Sequence, residues 1–212
     1  MIKPAEDFFR QARKMSRRRS IHYVEWQLTP HDGKSHGSDA RRNNDMFKTI
    51  EPKEITRNPF TLIGDDWMLV TAEKDGKANT MTASWGGVGI LWGKTVATIY
   101  IRPQRYTKEF LEASDHFTLS VLGAEHKKTL GYLGSVSGRD EDKIAKSGLT
   151  LAHEDGSPYF EEAELVLVCR KLYKQDQTPE SFLDKECLEK WYAAKDYHTM
   201  YIAEIEKVLK KA

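Results

Sequence analysis

From residue 46 onward, apolar and polar positions alternate in short runs separated by turn formers, the two-residue period of strands. Residues 67–74 (WMLVTAEK) predict a strand, Asp75-Gly76 a tight hairpin turn, and residues 79–84 the returning strand. Residues 95–101 (TVATIYI) are rich in β-branched side chains and predict a strand buried on both faces. Residues 106–113 predict a short helix with Thr107 as its N-cap. Another strand is expected over 116–122, then helices over 125–133 and 140–147, then a long strand over 164–173. Thr178-Pro179-Glu180 combines a capping hydroxyl, a proline and an acid, which predicts a helix start. Residues 198–206 form the last expected strand. Strands dominate without regular strand–helix alternation, which disfavours a parallel doubly wound sheet. The expected fold is mainly β, an antiparallel barrel, closed or partly closed, with short helical insertions.

The pattern is absent before residue 46, and charge changes there too. Residues 1–45 carry ten Lys/Arg and six Asp/Glu, a net of +4, against −3 for the rest. This leader holds Arg17-Arg18-Arg19 and a turn-rich stretch with His31 and His36; a short helix is expected over 5–15. It reads as a poorly ordered, solvated extension ahead of a domain over 46–212. The whole chain has a net charge of +1, which gives no electrostatic case for nucleic acid or an anionic membrane. No apolar run approaches the roughly 20 residues of a membrane span. Cys169 and Cys187 form no CxxC, so a disulfide framework is not expected and a reducing cytoplasm is the simplest compartment.

Several chemistries drop out. There is no GxxxxGK[ST] loop, no GxSxG elbow and no HExxH, and no metal site is expected. The glycines of residues 86–93 (GGVGILWG) fail the dinucleotide fingerprint, because the sixth position from Gly87 is Trp92. What remains is three segments of small, hydroxyl-bearing and cationic residues. In residues 79–87 (NTMTASWGG), a strand ending in small residues leaves backbone groups open to a flat ligand. The bland alternative is a polar strand end with a core tryptophan. In residues 102–109 (RPQRYTKE), two arginines and a hydroxyl converge where a helix begins, a natural phosphate site. A capped helix with solvated cations reads equally from these residues, and Glu109 in the first turn fits that alternative. Residues 131–143 predict a polar, glycine-rich loop, either a binding loop or a plain connector. His198 opens the last strand after several aromatics, placed either to meet a ligand or to cap the strand.

Five pieces recur in order: residues 79–85 (NTMTASW), 95–107 (TVATIYIRPQRYT), 117–122, 137–143 (SGRDEDK) and 196–206 (DYHTMYIAEIE). Together they resemble the flavin reductase-like family with the FMN-binding split-barrel fold, in its flavoredoxin-type branch, over about 47–208. The resemblance implies a homodimer with FMN at the subunit interface. It implies that Met81, Thr82, Ala83, Ser84 and Trp85 lie along the flavin ring, and that Arg102, Arg105, Tyr106 and Thr107 hold its phosphate end. Ser137, Gly138 and Lys143 would form loop cover, and His198 would sit near the flavin as the one candidate catalytic side chain. NADH or NADPH would be a transient hydride donor sharing the cleft, with free flavin, ferric iron or a partner protein as acceptor. The alternative within the family is an FMN-binding electron-transfer module without reductase activity of its own. Residues 86–94 depart from the family, carrying glycines and Trp92 where many relatives have a proline-rich turn.

Overall fold

The computed structural model describes residues 46–212. The expectations for the leader, including the helix over 5–15, Arg17–19, His31 and His36, lie outside the described residues. Ten strands form: β1 (Phe47–Ile50), β2 (Met68–Lys74), β3 (Lys77–Ala83), β4 (Gly86–Leu91), β5 (Lys94–Ile101), β6 (His116–Leu122), β7 (Leu151–Glu154), β8 (Ser157–Phe160), β9 (Ala163–Asp176) and β10 (Thr199–Lys211). A short helical stretch spans residues 59–66, and four further α-helices accompany the strands: α1 (Thr107–Ala113), α2 (Lys127–Ser135), α3 (Lys143–Ser147) and α4 (Lys185–Trp191). No helix of the described residues is long and apolar enough to cross a membrane.

The main sheet is antiparallel, in the order β3-β2-β6-β9-β10-β5-β4. β10 is its spine. It pairs along one side with β9, and on the other with β5 near its start and β1 near its end. β3 and β4 are separated by two residues, Ser84 and Trp85, yet stand at opposite ends of the hydrogen-bond order. Side chains from β2, β3, β5, β6, β9 and β10 nevertheless meet in one cluster around Phe117, Ile99, Leu119 and Tyr201, so the sheet curls round a shared interior. Gly86 sits on this closure: a Cβ there would stand 2.6 Å from the Thr98 carbonyl oxygen. The result is an antiparallel barrel with an unpaired seam, as a split barrel requires.

A second cluster packs on the outside, where the β7–β8 hairpin buries Tyr159 and Phe160 against Leu69, Val166 and the α2 residues Leu130 and Leu133. β2 is therefore buried on both faces: Met68, Val70 and Ala72 point inward while Leu69 joins the outer cluster. The expectation of two-faced burial fell instead on β5, where Ala97, Ile99 and Ile101 are buried but Thr98 and Tyr100 are half-buried. Among the described residues no hairpin or helix covers that side of β5 as the hairpin and α2 cover β2, although Val96 is buried there and the His198 ring meets Tyr100 edge-on.

Other boundaries moved for identifiable reasons. Asp75 and Gly76 both have positive φ, the conformation the Asp-Gly hairpin needs. Thr178 starts a single helical turn, Pro179–Ser181, and not a helix. Phe182 leaves that turn extended and packs on Tyr192 and Tyr197, so aromatic packing overrides the start signal. α4 begins three residues later, where the Asp184 carboxylate accepts from the Glu186 amide at 2.9 Å. Thr107 is not the cap of α1: it is the first helical residue, and its hydroxyl is turned inward and buried. The expected helix over 140–147 starts at Lys143, capped by Asp142.

Candidate functional site

α1 packs against β2 and β3, with Phe110 and Leu111 in the interior cluster and Tyr106 packed against it. The buried Asn79 of β3 determines how α1 begins. Its side-chain amide donates to the Thr107 hydroxyl at 2.8 Å, which draws the helix start onto the strand. On its other side the same carboxamide meets Gly138, where a Cβ would stand only 2.2 Å from Asn79 Oδ1. Only glycine permits that approach, so the loop after α2 is seated against the start of α1. The Arg139 guanidinium holds the loop there, bonded to Glu109 and lying over the Tyr106 ring.

These contacts leave a cleft of about 280 Å³ lined by Met81, Gln104, Arg105, Tyr106, Thr107, Ser135, Val136, Ser137, Gly138 and Lys143. Its electrostatics are one-sided. Lys143 is only 4% exposed, and its ammonium donates to the carbonyls of Leu133 and Val136, each at 2.8 Å. Arg105 is half-buried and donates to the Gly134 carbonyl at 2.6 Å. Among the described residues, no carboxylate forms an ion pair with either cation, and the charge acting on each is another cation. Burial, then Arg105, lowers the Lys143 ammonium to about 8. Burial, then Arg102, lowers Arg105. Two desolvated cations side by side form a socket that favours an anion. The Ser137 hydroxyl oxygen accepts from the Arg139 amide at 3.2 Å, which leaves its proton available to a ligand.

The end of β3 connects this cleft to a second groove. β3 is hydrogen-bonded to β2 alone, so alternate N–H and C=O groups near Met81–Ala83 point outward with no strand partner. Met81 lines the cleft, while Ser84 and Trp85 line a groove of about 450 Å³ with Pro59, Phe60, Ile63, Gly64 and residues 86–88. Ala83 is buried in the barrel interior, and the Thr82 hydroxyl donates to the Leu130 carbonyl at 2.6 Å. Neither side chain reaches a cleft, which leaves the backbone as the recognition element there.

Arg102 sits elsewhere than the sequence reading placed it. It is absent from the cleft lining and is held by Asp196, by the Trp191 carbonyl at 2.9 Å, and by the Tyr192 ring beneath it at 5.3 Å. Asp196, held well below the usual carboxylate range by Arg102 and then Gln104, also accepts from the Gln104 side chain at 2.8 Å. Sequence reasoning missed this role because Asp196 lies 94 residues downstream.

His198 is 6% exposed and belongs to the same cluster. Its Nδ1 is 2.7 Å from the Tyr192 hydroxyl, which donates onward to Gln177 at 2.9 Å, so Nδ1–H donates to the tyrosine oxygen. Burial, then Arg102, pushes His198 down to about 4, so the ring is neutral at physiological pH. Its ring lies 5.2 Å from that of Trp85, which in turn meets Trp191 edge-on at 5.0 Å.

Seven of the twelve expected cofactor residues thus line one cleft, two line the neighbouring groove, and three take supporting positions. Comparison with known proteins bears on the family and the fold. A family model described as a flavin reductase like domain matches residues 62–211. No curated protein matches the chain significantly. Among solved structures, an FMN-binding domain of a flavin reductase-like enzyme from Shewanella baltica superposes with a TM-score of 0.58 at 19% identity, covering 78% of each chain. Flavoredoxin of Desulfovibrio vulgaris gives 0.55 at 22% identity over 75% of each chain. An NADH:FAD oxidoreductase from Streptomyces globisporus gives 0.52 at 18% identity, over 69% of this chain and 77% of that one. At these identities the structures establish the fold, and the match over residues 62–211 establishes the lineage: this chain belongs to the flavin reductase-like family, on a split barrel.

Proposed function

We propose that the chain is a cytoplasmic, homodimeric, FMN-binding oxidoreductase that takes hydride from NADH or NADPH. The observation that carries this reading is the pair Arg105 and Lys143, two desolvated cations lining one cleft without a carboxylate partner among the described residues. The residues fit FMN. Arg105 and Lys143 would neutralise the phosphate, with a hydroxyl donor from Ser137. The outward backbone groups near Met81–Ala83 would meet the ring edge, which needs rigid donors and acceptors that do not titrate. Bound FMN would supply two-electron chemistry, accepting hydride from the nicotinamide and passing electrons to free flavin, ferric iron or a partner protein. The protein's own part is orientation and field. His198, neutral and fixed by Tyr192, adds no charge near the ring. The relatives named an NADH:FAD oxidoreductase and a flavoredoxin support the reading. The dimer is supported by the surface beside the edge strand β4, where Ile90, Trp92 and Tyr173 are exposed.

The visible spectrum of the purified protein, before and after added FMN, tests the binding. A colourless protein that takes up no FMN overturns the proposal. Stopped-flow mixing with NADH and NADPH tests the reductase half. Bound flavin that neither nucleotide bleaches reduces the protein to an FMN-binding electron-transfer module. Light scattering tests the dimer, and a monomer at micromolar concentration refutes it.

A further inference from the structure

The segment between β9 and β10 builds something the phosphate cleft does not use. Residues 177–198 leave the sheet, make one turn and α4, and return to place Trp191 against Trp85. The two indoles are perpendicular, at 89°, and remain 45% and 38% exposed. The backbone beneath them is well anchored: Arg102 binds the Trp191 carbonyl and Asp196, Tyr192 is bonded to His198 and Gln177, and His198 backs Trp85. Exposed indoles on an anchored frame keep apolar faces in water that a flexible chain would turn away. Such a corner suits a flat ring.

Its charge narrows the occupant. His198 is neutral and Arg102 is matched by Asp196, so neither places an unbalanced positive charge behind the two indoles. Indole faces favour a neutral or cationic heterocycle. Lys190 Nζ lies 5.3 Å from the centre of the Trp191 ring, which puts a positive charge beside the corner. A flat, neutral-to-cationic ring followed by an anionic linker is the chemistry of a nicotinamide dinucleotide. We infer that Trp191 is a specificity-determining residue, and that the Trp85–Trp191 corner seats the nicotinamide half of the hydride donor. This rests on the oxidoreductase reading, and it concerns a different set of residues from the phosphate cleft.

The test is equilibrium binding of NAD+ and NADP+ to the FMN-loaded dimer by calorimetry, where no turnover occurs. Trp191→Ala is expected to weaken the dinucleotide that binds better by about tenfold, about 1.4 kcal/mol. Trp191→Phe should recover most of the affinity, and FMN affinity should stay within about twofold of the unaltered protein, as base-on-aromatic contacts of this kind are sequence-tolerant but ring-dependent. Unchanged dinucleotide binding in Trp191→Ala overturns the inference, as does a parallel loss of FMN. Tight, Trp191-dependent binding without bleaching of the flavin by NADH or NADPH would sustain the corner and refute the reductase reading instead.

Discussion

Lys143→Met isolates the electrostatic part of the cofactor proposal. Burial and Arg105 bring the ammonium from 10.5 down to about 8. That difference corresponds to about 3 kcal/mol against the charged form. A phosphate dianion beside it favours the charged form again; the second ionisation of a phosphate monoester lies near pH ~6, so the ligand's charge is constant through the alkaline range. Above pH 8, binding must therefore take up a proton, and affinity should fall by up to about tenfold per pH unit. Below pH 8 the lysine is already charged and affinity should level off. Riboflavin has the same ring and no phosphate, so the riboflavin-to-FMN ratio of dissociation constants isolates the effect. Fluorescence titrations in phosphate-free buffer between pH ~6.5 and ~9.5 should show that ratio constant, then declining from about 8. In Lys143→Met the ratio should be flat and roughly 10- to 100-fold smaller at neutral pH, the worth of a charge-assisted hydrogen bond. The variant should fold. It orphans the carbonyls of Leu133 and Val136, a loss of about 1–3 kcal/mol each at most, but relieves the desolvated charge. A flat ratio in the unaltered protein, or the same decline in both proteins, would refute the assignment of Lys143 to the phosphate.

Three further outcomes follow from the geometry. Gly138→Ala puts a methyl 2.2 Å from Asn79 Oδ1 and must displace the loop, so FMN affinity should drop at least about tenfold with little change in far-UV circular dichroism; unchanged affinity refutes the seating of that loop. Arg102→Ala should leave the riboflavin-to-FMN ratio within about twofold while exposing residues 177–197 to limited proteolysis, because its bonds go to Asp196 and Trp191; a collapsed ratio would restore Arg102 to the phosphate. His198 is held at about 4 in the fold against 6.5 in an unfolded chain, so its contribution is complete above pH 6.5 and is lost as pH falls from 6.5 towards 4. Urea titrations at pH 7 and pH 4.5 should therefore show a stability loss up to about 3 kcal/mol larger than in His198→Asn, and equal losses would refute the buried neutral ring.

The barrel was legible because its signals are local. The Asp75-Gly76 turn, the alternation of residues 67–74 and the β-branched run of 95–101 each specify a strand or its end without reference to distant residues. The same Asp-Gly signal stands at Asp155-Gly156, both with positive φ, and marks the β7–β8 hairpin that the reading passed over. β4 was harder to see. Its Gly86-Gly87-Val88-Gly89 has little strand preference, and it forms because β5 offers it a complete ladder from Gly86 to Leu91. At the site, the chemistry of Arg105 and Thr107 could be read from neighbouring residues, whereas the fate of Arg102 depended on a carboxylate across the fold. Burial sorted the two arginines: Arg102 met Asp196 and became a brace, while Arg105 was left facing the cleft. Lys143 stands in the polar segment 137–143, and only packing gives it a buried ammonium.

The unpaired seam between β3 and β4 has a consequence for how this architecture can change. Opening a cavity within a continuous ladder breaks hydrogen bonds and orphans the amides on either side. At the seam there is no ladder to break. Residues can be inserted, removed or exchanged along Ser84–Trp85 and the facing 177–198 excursion while β2–β6–β9–β10–β5 keeps every pairing it has. The width of the opening is thus decoupled from the hydrogen-bond ladder of the sheet, so the seam can widen or narrow while the strand pairing of the barrel stays the same.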